Sequence, residues 1–171
     1  LDKQITEKLR LKSKPANLNR WKKVSKLEKN RKGITKIALV GKYTELADSY
    51  KSVNEALVHA GIHNKTEVEI EYFDSQNFNN GVKKFKPQGI LIPGGFGGRG
   101  IDGMINVAKF ARTKNIPFFG ICLGMQVAVI EFARNVLKIS ANSTEFEKTT
   151  KHPVIALITE SVSYTHLRAH E

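Results

Sequence analysis

Cysteine occurs once in these 171 residues, at Cys122, so the chain can close no disulfide within itself and bears no mark of an oxidising compartment. Long apolar runs are absent: none nears the roughly 20 residues that a membrane helix requires. The opening residues, LDKQITEKLR, lack the apolar core of a signal peptide. Internal repeats are missing, as is any low-complexity segment beyond a basic leader. No metal site is expected. A soluble cytoplasmic protein without a membrane partner is the expectation. The first residue is Leu1, not an initiator methionine, so the chain is expected to be a piece of something longer.

What is present has a globular balance, 40% hydrophobic and 26% charged, over a length that suits one domain with a real core. The net charge of +12 is unevenly placed. Residues 1–36 hold 13 Lys+Arg against 3 Asp+Glu, a net of +10, which leaves +2 for the rest. A basic leader can bind nucleic acid or run as a solvated linker. Trp21 is its lone aromatic, which gives no stacking platform. The linker is therefore the expectation, with no nucleic-acid partner.

Apolar patterning then sets the elements. IALVG, 37–41, reads as a buried strand. Asp48 or Ser49 is the expected cap of a helix whose inner face is Tyr50, Val53, Leu57 and Ala60, with Gly61 closing it and His63 in the turn beyond. Val68, Ile70 and Tyr72 alternate with charges, as in a strand near a sheet edge. Residues 74–88 are ambiguous. GILIPGG is strand then turn. Met104, Ala108 and Ala111 mark a second helix, PFFGIC a strand, and Met125, Val129, Phe132 and Val136 a third helix. PVIALI, 153–158, is the expected last strand. The order predicts an α/β fold: an open, mostly parallel, doubly wound sheet, with chemistry at the carboxyl ends of its strands.

Two of those strands end in glycine-rich turns. Gly120-Ile121-Cys122-Leu123-Gly124 places the thiol between strand and helix. A sharp turn there lifts the middle side chain above the sheet on strained backbone, and the flanking positions come too close for side chains. The following helix aims its positive end at the sulfur, which favours thiolate over thiol. The Leu123 amide would face a developing oxyanion. A buried structural cysteine is the alternative. The second turn, Pro93 to Gly100, offers exposed amides. It reads as a flexible loop, as a dinucleotide-phosphate turn (Gly95-x-Gly97-x-x-Gly100), or as the source of a second oxyanion donor at Gly95. The dinucleotide reading needs an acid at the end of the next strand, and FFGIC has none.

LIPGGFG, GICLGMQ and ANSTEF, in that order, resemble the class I glutamine amidotransferase domain of the CTP synthases. The likeness continues through IALVGKY, DSYKSVNEALVHAGI and HPVI, over roughly residues 34–158. The resemblance implies a glutaminase that passes ammonia to a synthetase domain. That domain would use ATP and Mg2+ to aminate UTP to CTP, in a homotetramer activated by GTP. It implies Cys122 as nucleophile and Gly95 and Leu123 as oxyanion donors. Gly95, Leu123, Gly124, Met125, Gln126 and Glu145 would contact L-glutamine, Glu145 through its α-ammonium group. Arg99 would belong to a lid that responds to GTP. No cofactor is implied for these residues themselves.

The pattern departs from the family in one respect. The family's downstream His-Pro-Glu segment, which supplies the base and its orienting acid, is missing. His59, His63, His152, His166 and His170 do not match it. The tail SVSYTHLRAHE matches nothing in the family and is expected to be non-native. The expected organisation is a linker at 1–36, a partial amidotransferase domain at 37–160 and the foreign tail at 161–171. Such a piece is expected to be inactive alone and to fold poorly, with apolar surface and a sheet edge uncovered. A glutaminase subunit or inactive homologue of another complex is the alternative.

Overall fold

The computed structural model describes residues 2–12, 14, 16–42, 47–77 and 81–156. Four parallel strands form its central sheet: β1 (Ile34–Gly41), β2 (Glu67–Asp74), β3 (Gly89–Ile92) and β4 (Phe118–Gly120). Their order is β2-β1-β3-β4, with Ile37 opposite Ile70 on one side and Gly89 on the other. β2 lies at an edge, as its alternating Val68, Ile70 and exposed glutamates predict.

Period-two alternation divides the apolar residues of β1 and β3 between two faces. Ala38, Val40, Ile90 and Ile92 face α4 (Gly81–Phe85), α5 (Ile101–Thr113) and α6 (Leu123–Asn135). Leu39 and Leu91 face the other way, against Tyr50 and the half-buried Val53 and Leu57 of α3 (Lys51–Asn64). Helices thus cover both faces, which is the doubly wound arrangement expected. Each buried aliphatic side chain contributes about 1.5–3 kcal/mol relative to exposure.

Several local expectations need correction. α3 is capped by neither Asp48 nor Ser49; a 3-10 turn, Ala47–Tyr50, leads into it and Tyr50 is its N-cap. Ala60 is exposed. Gly61 does not end the helix, which runs on to Asn64 and closes on Lys65 in the left-handed region. His63 accordingly sits in the last helical turn. A Cβ on Gly61 would lie 2.7 Å from Val68 Cγ2, so the glycine serves close packing of α3 on β2.

α6 forms where expected but turned about its axis. Leu123, Val127, Ile130 and Ala133 are buried, whereas Met125, Val129, Phe132 and Val136 are all exposed. Both faces carry apolar residues, so helical periodicity cannot choose between them. Glu131 is also buried on the inner side, where Arg112 of α5 grips both its carboxylate oxygens at 2.8 and 3.0 Å.

The last strand does not join the main sheet. β6 (His152–Ile155) pairs in parallel with a strand not foreseen, β5 (Ala141–Ser143), in a small sheet beside α6. Residues 157 and 158 of the expected strand, and the tail 161–171, lie outside the described residues. The leader contains α1 (Asp2–Lys8) and α2 (Asn19–Lys29), the latter burying none of its residues. Among the described residues, no helix is long and apolar enough to cross a membrane.

Candidate active site

β4 ends at Gly120 and α6 begins at Leu123, leaving two residues for the reversal. Cys122 takes it up with φ 52° and ψ −103°. An L-residue held there stores about 1–3 kcal/mol, sustained only by surrounding structure. The support is visible. Ile121 N donates to Ile92 O at 2.9 Å, Gly124 N to Ile121 O at 2.9 Å, and Gln126 N to Cys122 O at 3.1 Å. A Cβ on Gly120 would lie 2.4 Å from Gly124 C, and one on Gly124 would lie 2.1 Å from Ile92 O. The crowding expected on either side of the thiol is therefore present. Cys122 itself is exposed. Leu123, the first helical residue, has a side chain buried to 1% exposure and an N–H that the helix leaves without an internal partner.

The glycine loop after β3 lies against this turn. A Cβ on Gly94 would stand 3.6 Å from Cys122 Cβ, and one on Gly95 would stand 3.1 Å from Leu123 Cδ2. Gly95 and Leu123 are thus neighbours although 28 residues separate them in sequence. Further along, Gly97 (φ 73°) donates its N–H to Glu145 Oε1 at 2.9 Å. Glu145 is presented by the turn after β5, where its own N–H donates to Ser143 Oγ at 3.1 Å. Arg99 donates from Nη2 to the Lys42 carbonyl at 2.8 Å. In the first turns of α6, Gly124 is buried and Met125 exposed. Gln126 Oε1 is buried without a hydrogen-bond partner, an acceptor that an incoming N–H would satisfy.

Sequence reasoning missed Lys42. This residue follows β1 and is only 6% exposed. Its Nζ donates to Phe96 O at 2.9 Å and to Gly97 O, and its N–H donates to Tyr50 Oη at 3.2 Å. Burial pushes the ammonium below the usual lysine value; the charge of Glu145 opposes that shift and the charge of Arg99 adds to it. The signal was available in IALVGK: a lysine straight after a buried central strand, at the carboxyl end where such sheets collect chemistry.

The thiol, the glycine loop and Lys42 therefore share the carboxyl ends of β4, β3 and β1. The β1–β3 boundary is where the sheet's winding reverses. An exposed sulfur beside main-chain donors can attack an acyl carbon and have the resulting oxyanion stabilised. His59, His63 and His152 are exposed, and no described histidine is hydrogen-bonded to Cys122. His166 and His170 lie outside the described residues. No cluster of three metal-ligating side chains occurs among the described residues.

Comparison with known proteins agrees with this frame. The family model for glutamine amidotransferase class-I matches residues 45–168. The glutaminase domain of Trypanosoma brucei CTPS, solved with bound acivicin, superposes with a TM-score of 0.67 at 43% sequence identity. The match covers 73% of this chain and 50% of that one, so the chain spans half the length of the solved domain. With the family model matching most of the chain and a solved relative 43% identical over 73% of it, the chain belongs to the class I glutamine amidotransferase family.

Proposed function

We propose that this chain is the glutaminase part of a cytoplasmic CTP synthase. The observation that carries the reading is the strained, exposed Cys122 between β4 and α6, in a chain 43% identical to a CTPS glutaminase domain. Cys122 adds as thiolate to the side-chain carbonyl carbon of L-glutamine. The N–H groups of Gly95 and Leu123 stabilise the oxyanion. Its collapse breaks the C–N bond; the departing nitrogen takes up a proton and leaves as ammonia, and a glutamyl thioester remains. Water then cleaves the thioester to glutamate. Glu145 receives the substrate's α-ammonium group in a charge-assisted bond. Gly124, Met125 and Gln126 complete the contacts, Gln126 through its unpartnered oxygen.

Ammonia would serve a synthetase domain that uses ATP and Mg2+ to aminate UTP in a homotetramer. Arg99 would belong to the element that answers GTP. Among the described residues no histidine is hydrogen-bonded to Cys122 to take and return the proton, so residues 1–171 alone are inactive in this reading. Purified chain should release no more glutamate from L-glutamine than Cys122→Ala does. Release that depends on Cys122 would overturn the inactivity. A chloroketone shaped like glutamine should alkylate Cys122 in a saturable way, slowed by L-glutamine and not by D-glutamine. Labelling indifferent to both would overturn the substrate.

A further inference from the structure

The glycine loop has little apolar anchorage. Phe96, its one aromatic side chain, is 81% exposed, and Cβ atoms added to Gly97 or Gly98 would meet nothing within 4 Å. Polar contacts hold it instead, and they converge on one peptide unit. The carbonyl of Phe96 and the N–H of Gly97 belong to the same plane and point in opposite directions. Lys42 Nζ donates to that carbonyl at 2.9 Å, while Glu145 Oε1 accepts from that N–H at 2.9 Å. The plane is gripped from both sides, and rotating it would break both bonds. Lys42 also holds the next carbonyl, Gly97 O. Its stem passes beside Gly95, whose added Cβ would lie 3.8 Å from Lys42 Cδ.

We propose that Lys42 is a positioning residue for the Cys122 site, fixing the 96–97 peptide so that the preceding Gly94–Gly95 segment stays seated against the cysteine turn. The inference rests on the glutaminase reading above and extends it to a residue outside the reacting groups. Lys42 reaches the site from a different strand, β1. It thereby ties the carboxyl ends of β1 and β3 together, and the loop carries that tie to β4. Loss of a charged donor would free the loop without touching the sulfur.

Two measurements test this. In the unaltered chain the Gly97 amide should exchange with solvent at least about tenfold more slowly than an unstructured amide, and Lys42→Met should abolish that protection. An unprotected Gly97 amide in the unaltered chain overturns the clamp, and needs no variant to fold. For the site, Lys42→Met should lower the limiting rate of Cys122 alkylation by the glutamine-shaped chloroketone by about tenfold or more. The half-saturating concentration and the rate with iodoacetamide should stay within about twofold, because the Glu145 and Gln126 side chains and the thiol's exposure are kept while Gly95 acts on the oxyanion. Lys42→Arg should restore part of the limiting rate. An unchanged limiting rate in Lys42→Met overturns the positioning role while leaving the glutaminase reading standing. Absence of saturation in the unaltered chain overturns both.

Discussion

Cys122 occupies backbone that glycine adopts freely and other residues adopt only under strain. Its φ of 52° with ψ of −103° is held by the hydrogen bonds of Ile121, Gly124 and Gln126. Cys122→Gly should therefore be more stable than Cys122→Ala by about 1–3 kcal/mol, since alanine keeps the strain and glycine releases it. Urea unfolding of the two variants checks this; equal midpoints would place the strain elsewhere. Lys42 gives a second prediction. Burial, outweighing the attraction of Glu145, lowers its folded-state pKa below 10.5. The unfolded chain then binds the proton more tightly. Stability should rise with pH from that lowered value up to about 10.5. The rise should appear in the unaltered chain and be absent from Lys42→Met, so that the difference between the two curves carries it. A neutral amine still has two N–H donors for Phe96 and Gly97, so the loop keeps both bonds as the charge is lost.

At the scale of elements, α6 separates what a helical pattern shows from what it hides. Its spacing announces a helix, yet the residues that mark it, Met125, Val129, Phe132 and Val136, lie outward. The inner face is chosen by β3 and α5, through Ile92, through the seat that Gly124 finds against Ile92 O, and through the Arg112–Glu131 pair. Ile130→Ala, on that inner face, should cost about 2–5 kcal/mol. Val129→Ala, one residue away and 38% exposed, should cost less than about 1 kcal/mol. Thermal unfolding of both decides the orientation. A reversed order would mean that α6 is rotated from the orientation described. The glycines show the same division. Gly120 and Gly124 are legible as a cramped turn from their spacing around one cysteine. Gly61 is not, because its need for a hydrogen side chain comes from Val68 on the following strand and the Thr66 carbonyl just before it.

Over the whole molecule, apolar side chains are left uncovered both on the edge strand and on the outer face of α6. Phe119 on the edge strand β4 is 62% exposed, Phe132 of α6 is 48% exposed, and Leu137 just beyond that helix is 57% exposed. Exposed apolar groups beside an unpaired strand edge favour self-association. Light scattering from the purified chain should grow with concentration, and Phe119→Ser with Phe132→Ser should reduce it without moving the unfolding midpoint by more than about 1 kcal/mol equivalent. A monodisperse parent chain at high concentration would show that these groups do not associate.

The sequence by itself determined the periodicities, and with them the parallel strands, the alternation that covers both faces of the sheet, and the constrained turn at Cys122. Those depend on neighbours within a few residues, where spacing and backbone sterics suffice. It also carried the motifs that placed Gly95, Leu123 and Glu145 on one list, without bringing them together. Only the tertiary structure decided which face of α6 is buried, that β5 and β6 form a separate sheet, and that Lys42 grips the loop between Gly95 and Glu145. Each of those rests on contacts between residues in different elements, from about a dozen to more than fifty positions apart. Their energies come from packing and desolvation, which no local pattern records.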